Sequence, residues 1–357
     1  MNRNKTLKNT LAIITVILFS FVLMVLITAS SRAVFAFPFR SNPASSMSIN
    51  QAFLYALKHN KMLKLEKIKL DSASYEENEA MSGFFPKIDF NEIYMNTDNP
   101  LYAFGSVLNQ RILTAQNVQS YFSPNFLNNP GMIHNYESEF SIEQPLFMGG
   151  KIYFGYKRAK LNRRAVKKGL SETRQKVLYG VAKAYYSSIL AEHYVKLMKS
   201  MVKTAEAYKT LSENLFKAGQ VVSSDVLRAN VELAAMKEKL LSAKKNYKLA
   251  KYFLNIEIGI PINSKYELTS NLKSIPYDKS LSIDSLQKTA FKKRPDYKAL
   301  LLNKKNMGLG VKEAEGKFLP KLVAGYDYFS NGPAIHPDDS YSYALMVMLH
   351  FNIFSGL

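Results

Sequence analysis

The 357-residue sequence contains no cysteine and no tryptophan. Without cysteine the chain can form no disulfide, no thiolate metal site and no cysteine nucleophile. It also has no residue for an N-terminal lipid on cysteine, so any attachment to a membrane must come from the polypeptide itself.

Long apolar runs are confined to the N-terminus. Residues 11–28 carry no charge, follow the basic residues Arg3, Lys5 and Lys8, and precede a small-x-small site at 33–36. These features predict a cleaved signal peptide over residues 1–36 and hence export. An uncleaved membrane anchor is the alternative, because an apolar run of this length just reaches spanning length.

Acidic residues are scarce relative to basic ones, with 28 Asp and Glu against 48 Lys and Arg, a formal charge of +20. A basic chain could bind nucleic acid. The lysines, however, are scattered along helical stretches between apolar positions, which is typical of solvated helix faces. Together with export, their distribution predicts no nucleic-acid partner.

Residues for catalysis or metal binding are also few. The five histidines show no ligand spacing, and no His-Glu-x-x-His occurs. His336 with Asp338 and Asp339 could hold a cation, but a solvated loop is the favoured interpretation. No Lys-Ser or Lys-Thr follows Gly149-Gly150, so no phosphate loop is present. The sequence predicts no enzyme activity, no cofactor and no metal.

An internal repeat organises the chain. Residues 48–95 and 282–329 align without a gap at a constant offset (282 − 48 = 234). A repeat of this length indicates a duplicated structural unit. Each unit predicts a helix that ends at Phe-x-Pro-Lys and is followed by a strand. The helices are expected within 37–87 and 282–321. Matching pairs include Phe84/Phe318, Pro86/Pro320, Lys87/Lys321 and Tyr94/Tyr328.

Each unit closes with a second strand pattern, so strand pairs are predicted over 88–147 and 322–354. A weaker alternation at 139–147 sets Phe140, Ile142 and Leu146 against Glu139, Ser141 and Glu143. This period fits a membrane-spanning strand and equally a half-buried strand of a soluble sandwich. The clearest alternation is at 340–351, where one face carries Tyr341, Tyr343, Leu345, Val347, Leu349 and Phe351.

The region between the repeats, 151–258, contains no proline and reads as very long helices. Two apolar stripes with 4-3 spacing start at Val177 and Leu190, and each is a coiled-coil pattern. Two stripes on one helix predict two helical neighbours. Gly219 interrupts the run, with Ser or Asp expected to cap a returning helix. The prediction is an antiparallel hairpin over 148–261 with its tip near 217–225, followed by a linker at 262–281.

These patterns together resemble the TolC family of outer-membrane efflux proteins. Residues 144–150 resemble the family's strand-to-helix junction, and Phe-x-Pro-Lys at 84–87 and 318–321 resembles its helix-to-strand breaks. Residues 218–229 resemble its hairpin tip, and Ala184-Tyr185-Tyr186 a tyrosine-bearing stretch of its ascending helix. The resemblance covers about residues 46–357.

The resemblance implies an α+β membrane protein, with a long antiparallel α-helical coiled-coil hairpin and four β-strands contributing to a trimeric 12-stranded outer-membrane barrel. Four strands cannot close a barrel, for which about eight are needed, so a membrane location requires an oligomer. The implied partners are two further copies in a homotrimer, a periplasmic adaptor protein, an inner-membrane pump or exporter, and outer-membrane lipid.

The resemblance also assigns residues to roles. The adaptor-docking hairpin tip is Gly219, Val221, Val222, Ser223 and Asp225, although a plain helix-connecting turn explains them equally well. The helix–strand junctions are Pro86, Pro320, Pro145, Gly149 and Gly150. The strand that faces lipid carries Tyr341, Tyr343, Leu345, Val347, Leu349 and Phe351.

The sequence departs from the family pattern in two places. It stops at Leu357, just after a second copy of the strand-to-helix junction, so we expect a chain truncated before the second helical hairpin. An insert at 96–135, rich in Asn, Pro, Tyr and Phe, separates the first two strands. Family topology would place this insert outside the cell, and the sequence predicts no role for it.

The expected function is a passive exit duct of a tripartite efflux or type I secretion system, in the outer membrane with a periplasmic helical extension. A periplasmic adaptor with a helical hairpin, or a structural coiled-coil surface protein, is the alternative. The sequence leaves open whether the cargo is a drug, a metal or a protein.

Overall fold

The computed structural model describes residues 45–272, 282–335 and 340–354. The predicted signal peptide at 1–36, part of the predicted linker, and His336 with Asp338 and Asp339 lie outside the described residues. Within the described ranges, no helix is both long enough and apolar enough to cross a membrane.

Helices make up most of the described chain. They are α1 (Ile49–His59), α2 (Lys61–Ser82), α3 (Pro100–Asn109), α4 (Val118–Tyr121), α5 (Pro124–Asn128), α6 (Lys151–Lys217), α7 (Ser223–Ile258), α8 (Ile283–Lys293) and α9 (Pro295–Glu315), with a 3₁₀ turn at Gly316–Phe318. The strands are β1 (Ser46–Met47), β2 (Lys87–Thr97), β3 (Ile133–Met148), β4 (Glu267–Leu268), β5 (Lys321–Gly332) and β6 (Tyr341–His350).

The strands form two sheets. One has four antiparallel strands in the order β2-β3-β5-β6, so the strand pairs of the two repeats lie side by side. The other is a short parallel pairing of β1 with β4. The long hairpin and the antiparallel strands confirm the predicted fold class at the level of a single chain.

Helix α6 is one continuous element of 67 residues, about 100 Å long at 1.5 Å per residue. Helix α7 has only 36 residues and returns antiparallel along the C-terminal half of α6. Along the N-terminal half, α2 and α9 pack against α6 instead. Arg158 of α6 reaches α9, donating to Glu313 at 2.7 Å and to Asn306 at 3.0 Å.

The end of α7 meets the start of α2. Asn60 caps α2 by accepting hydrogen bonds from the backbone of Met62 and Leu63 at 2.9 and 3.2 Å. Its amide also donates to the backbone oxygen of Glu257 in the last turn of α7, at 2.8 Å. One side chain therefore satisfies orphan groups at both helix ends, and α7 followed by α2 lines the whole of α6.

Each repeat helix was expected as one element, and the structure divides each into two. In the first repeat, Asn60 leaves the helical region (φ −62°, ψ 127°) to cap α2. In the second, Arg294 precedes Pro295, which disfavours the α conformation at Arg294. Arg294 donates to Asp296 at 3.1 Å, and this hydrogen bond lowers the pKa of Asp296 to about 2.

The main core lies where α1, α6, α7 and the β1–β4 pair meet. Tyr185 is fully buried there, although the only sequence signal for it was the family resemblance of residues 184–186. Its hydroxyl donates to the backbone oxygen of Met47 at 2.9 Å and accepts from the backbone N–H of Ser270 at 3.2 Å. Tyr185 thus joins α6 to β1 and to the segment just after β4. Its core neighbours are Ala52, Ala56, Leu63, Val177, Val181, Ile189, Leu254, Ile258 and Tyr266.

The two apolar stripes of α6 have different surroundings. Most members of the stripe that begins at Val177 are buried, and Val195, Met198, Val202 and Ala205 pack in the contact with α7. Large side chains of the stripe that begins at Leu190 are exposed within the described chain, namely Leu190, Tyr194, Leu197, Met201, Tyr208 and Leu211. Of the two helical neighbours predicted for α6, the one that packs on the first stripe, α7, is therefore present in the described chain.

Candidate functional site

The four-stranded sheet has one predominantly apolar face. Residues directly opposite each other in an antiparallel pair lie on the same face, so the strand register assigns every residue to a face. We call the first the apolar face. It carries Ile88, Phe90 and Tyr94 of β2, Tyr136, Phe140 and Ile142 of β3, Leu322, Tyr326 and Tyr328 of β5, and Tyr341, Tyr343, Leu345, Val347 and Leu349 of β6.

The opposite face, which we call the acidic face, carries most of the carboxylates of the sheet although the chain as a whole is strongly basic. Apolar residues on this face include Ile93, Met95, Val323, Phe329, Met346 and Met348. Across β2, β3 and β5 it carries five carboxylates, whereas Glu92 is the one carboxylate among the paired residues of the apolar face. The acidic face was not recognised from the sequence. The sequence pattern that indicates this face is a series of acidic and polar residues at alternate positions, namely Asp89 and Asn91 in β2 and Glu137, Glu139, Ser141 and Glu143 in β3. The strand register adds Asp327 of β5 to the same face.

The six residues expected to face lipid keep their alternation in the structure, with one change at the end. Strand β6 ends at His350, so Phe351 lies just beyond it. All ten residues of β6 are exposed, and Leu345 retains 78% of its surface. In β3, Phe140 and Ile142 share the apolar face, but Leu146 is skipped in the pairing with β5 because the register shifts between Pro145 and Phe147.

The two outer strands of the sheet are open. Among the described residues, β2 pairs only with β3, and β6 pairs only with β5. An exposed strand edge presents unpaired N–H and C=O groups that can accept a further strand. Strand β6 is both an edge and exposed on its two faces.

The hairpin tip is a short turn between α6 and α7. Gly219 adopts a left-handed conformation (φ +72°), and the N–H of Gln220 donates to the backbone oxygen of Leu215 at 2.9 Å. Val222 is 63% exposed. A turn with an exposed aliphatic side chain can present an apolar contact at the far end of the long helices.

Ser or Asp was expected to cap the returning helix, and the structure assigns that position to Val222. Helix α7 begins at Ser223, and no side chain caps it. Asp225 lies in the first helical turn, where its charge interacts favourably with the helix dipole instead. The remaining predicted tip residue, Val221, lies in the turn itself.

The proline junctions lie at the sheet end that meets the helices. Pro86 and Pro320 immediately precede β2 and β5, as the repeat predicts. Pro145 lies inside β3, at the register shift against β5. Proline cannot donate to a strand ladder, so a bulge is one of the few positions in a sheet that accept it.

Gly149 and Gly150 connect β3 to α6, and both have positive φ, +59° and +80°. A Cβ on Gly149 would lie 2.1 Å from the backbone oxygen of Gly316, at the 3₁₀ turn after α9. Two backbones therefore cross with no room for a side chain. This crossing fixes the start of α6 against the entry to β5.

The insert, for which the sequence predicted no role, contains the helices α3, α4 and α5. Asn99 and Ser123 cap α3 and α5 through their side chains. Phe104 and Phe122 form an edge-to-face pair with ring centroids 5.2 Å apart, which ties α3 to the following segment. Helix α3 also packs on β3 and β5, so the insert is a folded part of the molecule.

Comparison with known proteins gives a consistent result. Residues 55–254, more than half of the chain, match the outer membrane efflux protein family. Similar solved structures are CusC (12% identity, TM-score 0.69, covering 86% of this chain and 66% of that one), the Campylobacter jejuni CmeC outer membrane channel (19%, 0.69, 86% and 61%) and the Vibrio cholerae outer membrane protein VceC (15%, 0.68, 86% and 69%).

At these identities the structures establish the fold. The chain spans between 61% and 69% of the length of these three proteins. No curated protein sequence matches it significantly. The family match, the shared fold and the arrangement of repeated helix–strand units lead to one assignment: the chain belongs to the outer membrane efflux protein family.

Proposed function

We propose that this chain is a subunit of an outer-membrane channel that serves as a passive exit duct of a tripartite efflux or type I secretion system. The observation that carries the proposal is the two-faced sheet. A strand that spans a membrane as part of a barrel alternates between residues that contact lipid and residues that line a polar interior. The apolar face has the first character across all four strands, and the acidic face carries carboxylates across β2, β3 and β5.

Tyrosines on the apolar face support a membrane orientation. Tyr94, Tyr136, Tyr328, Tyr341 and Tyr343 cluster at the sheet end that lies away from the long helices. Aromatic girdles mark the interfaces of membrane barrels. The tyrosines would then lie at the outer interface, with the helices extending into the periplasm.

The open edges support an oligomer. Four strands do not close a barrel, and an unpaired edge is unfavourable in lipid. Pairing β6 of one copy with β2 of the next satisfies both edges, and three copies supply twelve strands. The exposed stripe of α6 that begins at Leu190 would then be covered by a neighbouring helix of the assembly. The resulting homotrimer is the assembly we propose.

The hairpin tip is the proposed contact with a periplasmic adaptor, which would connect the duct to an inner-membrane pump or exporter. Gly219, Val221, Val222, Ser223 and Asp225 form the turn and the first residues of α7. The tip lies at the end of the hairpin remote from the sheet, so it is the part of the chain best placed to meet such a partner. Export by the predicted signal peptide completes the proposed location.

A pair of adjacent substitutions tests the membrane-facing sheet. Leu345 and Ala344 are neighbours in β6 and point to the apolar and the acidic face respectively. A lysine on the lipid side of a barrel costs about 2–4 kcal/mol at mid-membrane, whereas a lysine on the interior side remains solvated. Leu345→Lys should therefore prevent accumulation in the outer membrane, and Ala344→Lys should not.

The measurement is the amount of protein that stays in outer membranes after extraction with high salt. Wild type and Ala344→Lys are expected in the membrane fraction, and Leu345→Lys is expected to be lost from it. Equal amounts of the two variants would contradict the assignment of faces. A wild-type protein found entirely in the soluble periplasmic fraction would reject the proposed function.

A further inference from the structure

The insert between β2 and β3 folds back onto the end of the sheet instead of projecting from it. Helix α3 contacts β3 and β5, and it buries one side along its length. Ala103 and Val107 are fully buried, and Ser106 retains only 6% of its surface. A loop that merely extended into solvent would have no such buried side.

A chain of amide side chains shows which face of the sheet the insert covers. Gln110, at the end of α3, donates to the side-chain oxygen of Asn135 at 3.0 Å and to the backbone oxygen of His134 at 2.7 Å. Asn135 then donates to Asn331 at 2.6 Å. The register assigns Asn135 and Asn331 to the acidic face, and they are only 5% and 3% exposed. The insert therefore covers the end of the acidic face that lies away from the long helices.

The insert crosses the whole width of the sheet. It begins after β2, one outer strand, and Arg111 reaches β6, the other. The Arg111 guanidinium donates to the backbone oxygen of Tyr341, the first residue of β6, at 2.6 Å. It also lies 5.5 Å from the centre of the Tyr341 ring, which belongs to the apolar face, so the contact is made at the end of β6. Four strands at about 4.8 Å spacing make a width of about 14 Å. We call the contacts of Gln110 and Arg111 the latch.

The latch is held in a defined conformation. Arg111 is the one non-glycine residue with positive φ (52°) in the described part of the chain, directly after α3 ends. Such a conformation is uncommon outside glycine and persists where surrounding contacts fix it. Tyr121 and Phe126 pack edge to face with centroids 4.9 Å apart within the remainder of the insert.

We propose that the insert is a fixed constriction at the outer mouth of the channel, which sets an upper size limit on solutes that pass between the duct and the outside. The inference rests on the proposed function, because the acidic face borders a passage only if the sheet closes with its apolar face toward lipid. In a closed ring each subunit contributes one insert across its own sector of the opening. Small solutes pass, and bulky hydrophilic molecules are excluded.

Cysteine labelling tests the constriction without depending on whether the inner end of the duct is open. The chain has no cysteine of its own, so a single introduced thiol gives an unambiguous signal. Ser141→Cys is a nearly isosteric change on the acidic face, in the middle of β3. Intact cells are treated from outside with a maleimide that carries a small charged group, or with one that carries a long polyethylene glycol chain.

Four backgrounds carry the reporter. One is otherwise wild type, one has the latch removed by Gln110→Ala with Arg111→Ala, and one replaces residues 100–128 with a short Gly-Ser linker. The matched control is Gln119→Ala, an exposed glutamine of the same insert. Gln119→Cys, tested separately, reports whether the insert is outside the cell. The linker variant keeps the test decisive if the double substitution fails to assemble.

We expect the large reagent to leave Ser141→Cys unlabelled in the wild-type and Gln119→Ala backgrounds, and to label it once the latch or the insert is removed. Labelling by the large reagent to the same extent in all four backgrounds would overturn the constriction while leaving the channel intact. A Gln119→Cys thiol that is inaccessible from outside would also overturn it. If neither reagent labels Ser141→Cys even without the insert, the acidic face borders no passage and the proposed function fails as well.

Discussion

Replacing Gly259 with alanine should separate α7 from α2, the two helices that pack end to end along α6. Gly259 ends α7 with a φ of +83°, and a Cβ there would lie 2.6 Å from the backbone oxygen of His59 and 2.9 Å from the backbone nitrogen of Asn60. The left-handed conformation costs a non-glycine residue about 1–2 kcal/mol. The clash is with backbone atoms, so it cannot be relieved by a rotamer change.

The clash should also break the contact between the helix ends. Moving α7 away from the α1–α2 junction lengthens the hydrogen bond from Asn60 to the backbone oxygen of Glu257, now 2.8 Å. A hydrogen bond of this kind contributes about 0.5–1.5 kcal/mol. Together the two effects give an expected loss of about 1.5–3.5 kcal/mol in the free energy of unfolding.

Gly219 provides the matched control, because it has a similar φ (+72°) but no heavy atom within 4 Å of an added Cβ. Gly219→Ala should lose only the conformational cost, about 1–2 kcal/mol. The assay is urea unfolding of each detergent-solubilised variant, followed by the helical circular dichroism signal. Equal shifts in the unfolding midpoints of the two variants would refute the argument that α7 and α2 meet end to end at Gly259.

Three further predictions concern the core, the α8–α9 break and the backbone crossing. Tyr185→Phe leaves two backbone groups without their partner and should cost about 1–3 kcal/mol, whereas the partly exposed Tyr186→Phe should change the unfolding midpoint little. The pKa of Asp296 is lowered to about 2 in the folded chain, against about 4 in the unfolded chain. The contribution of Asp296 to stability is therefore present above about pH 4 and is lost as the pH falls toward 2. Asp296→Asn should remove that part of the acid dependence of the melting temperature. Gly149→Ala should abolish accumulation of folded protein in outer membranes, measured by immunoblot, because its Cβ would meet a backbone oxygen at 2.1 Å; normal accumulation would contradict the crossing.

The long helix was predictable because its signals are local and repeated. The absence of proline over residues 151–217 and the 4-3 spacing of apolar residues both indicate one continuous helix. The two-part construction of the repeat helices was harder to predict. Arg294 before Pro295 carries a local signal, but Asn60 breaks the first helix through contacts with α7, which is distant in sequence.

The two faces of the sheet illustrate the same distinction. The alternation of apolar and other residues in β6 could be predicted from the sequence because every second residue is large and apolar. The acidic face is distributed over three strands, and it becomes a surface only when the register brings Asp89, Ser141 and Asp327 into one row. The folded insert was not predictable, because its buried side is defined by a sheet that the sequence shows only as separate strands.

The contact between the end of α7 and the start of α2, at Gly259 and Asn60, has a consequence for how the length of α6 can change over evolution. Whole turns added to the C-terminal half of α6, which packs against α7, require equal turns in α7 alone. Turns added to the N-terminal half, which packs against α2 and α9, require equal turns in those two helices. The part of the hairpin between this contact and the tip, and the part between this contact and the sheet, can therefore be lengthened separately while the contact itself is kept.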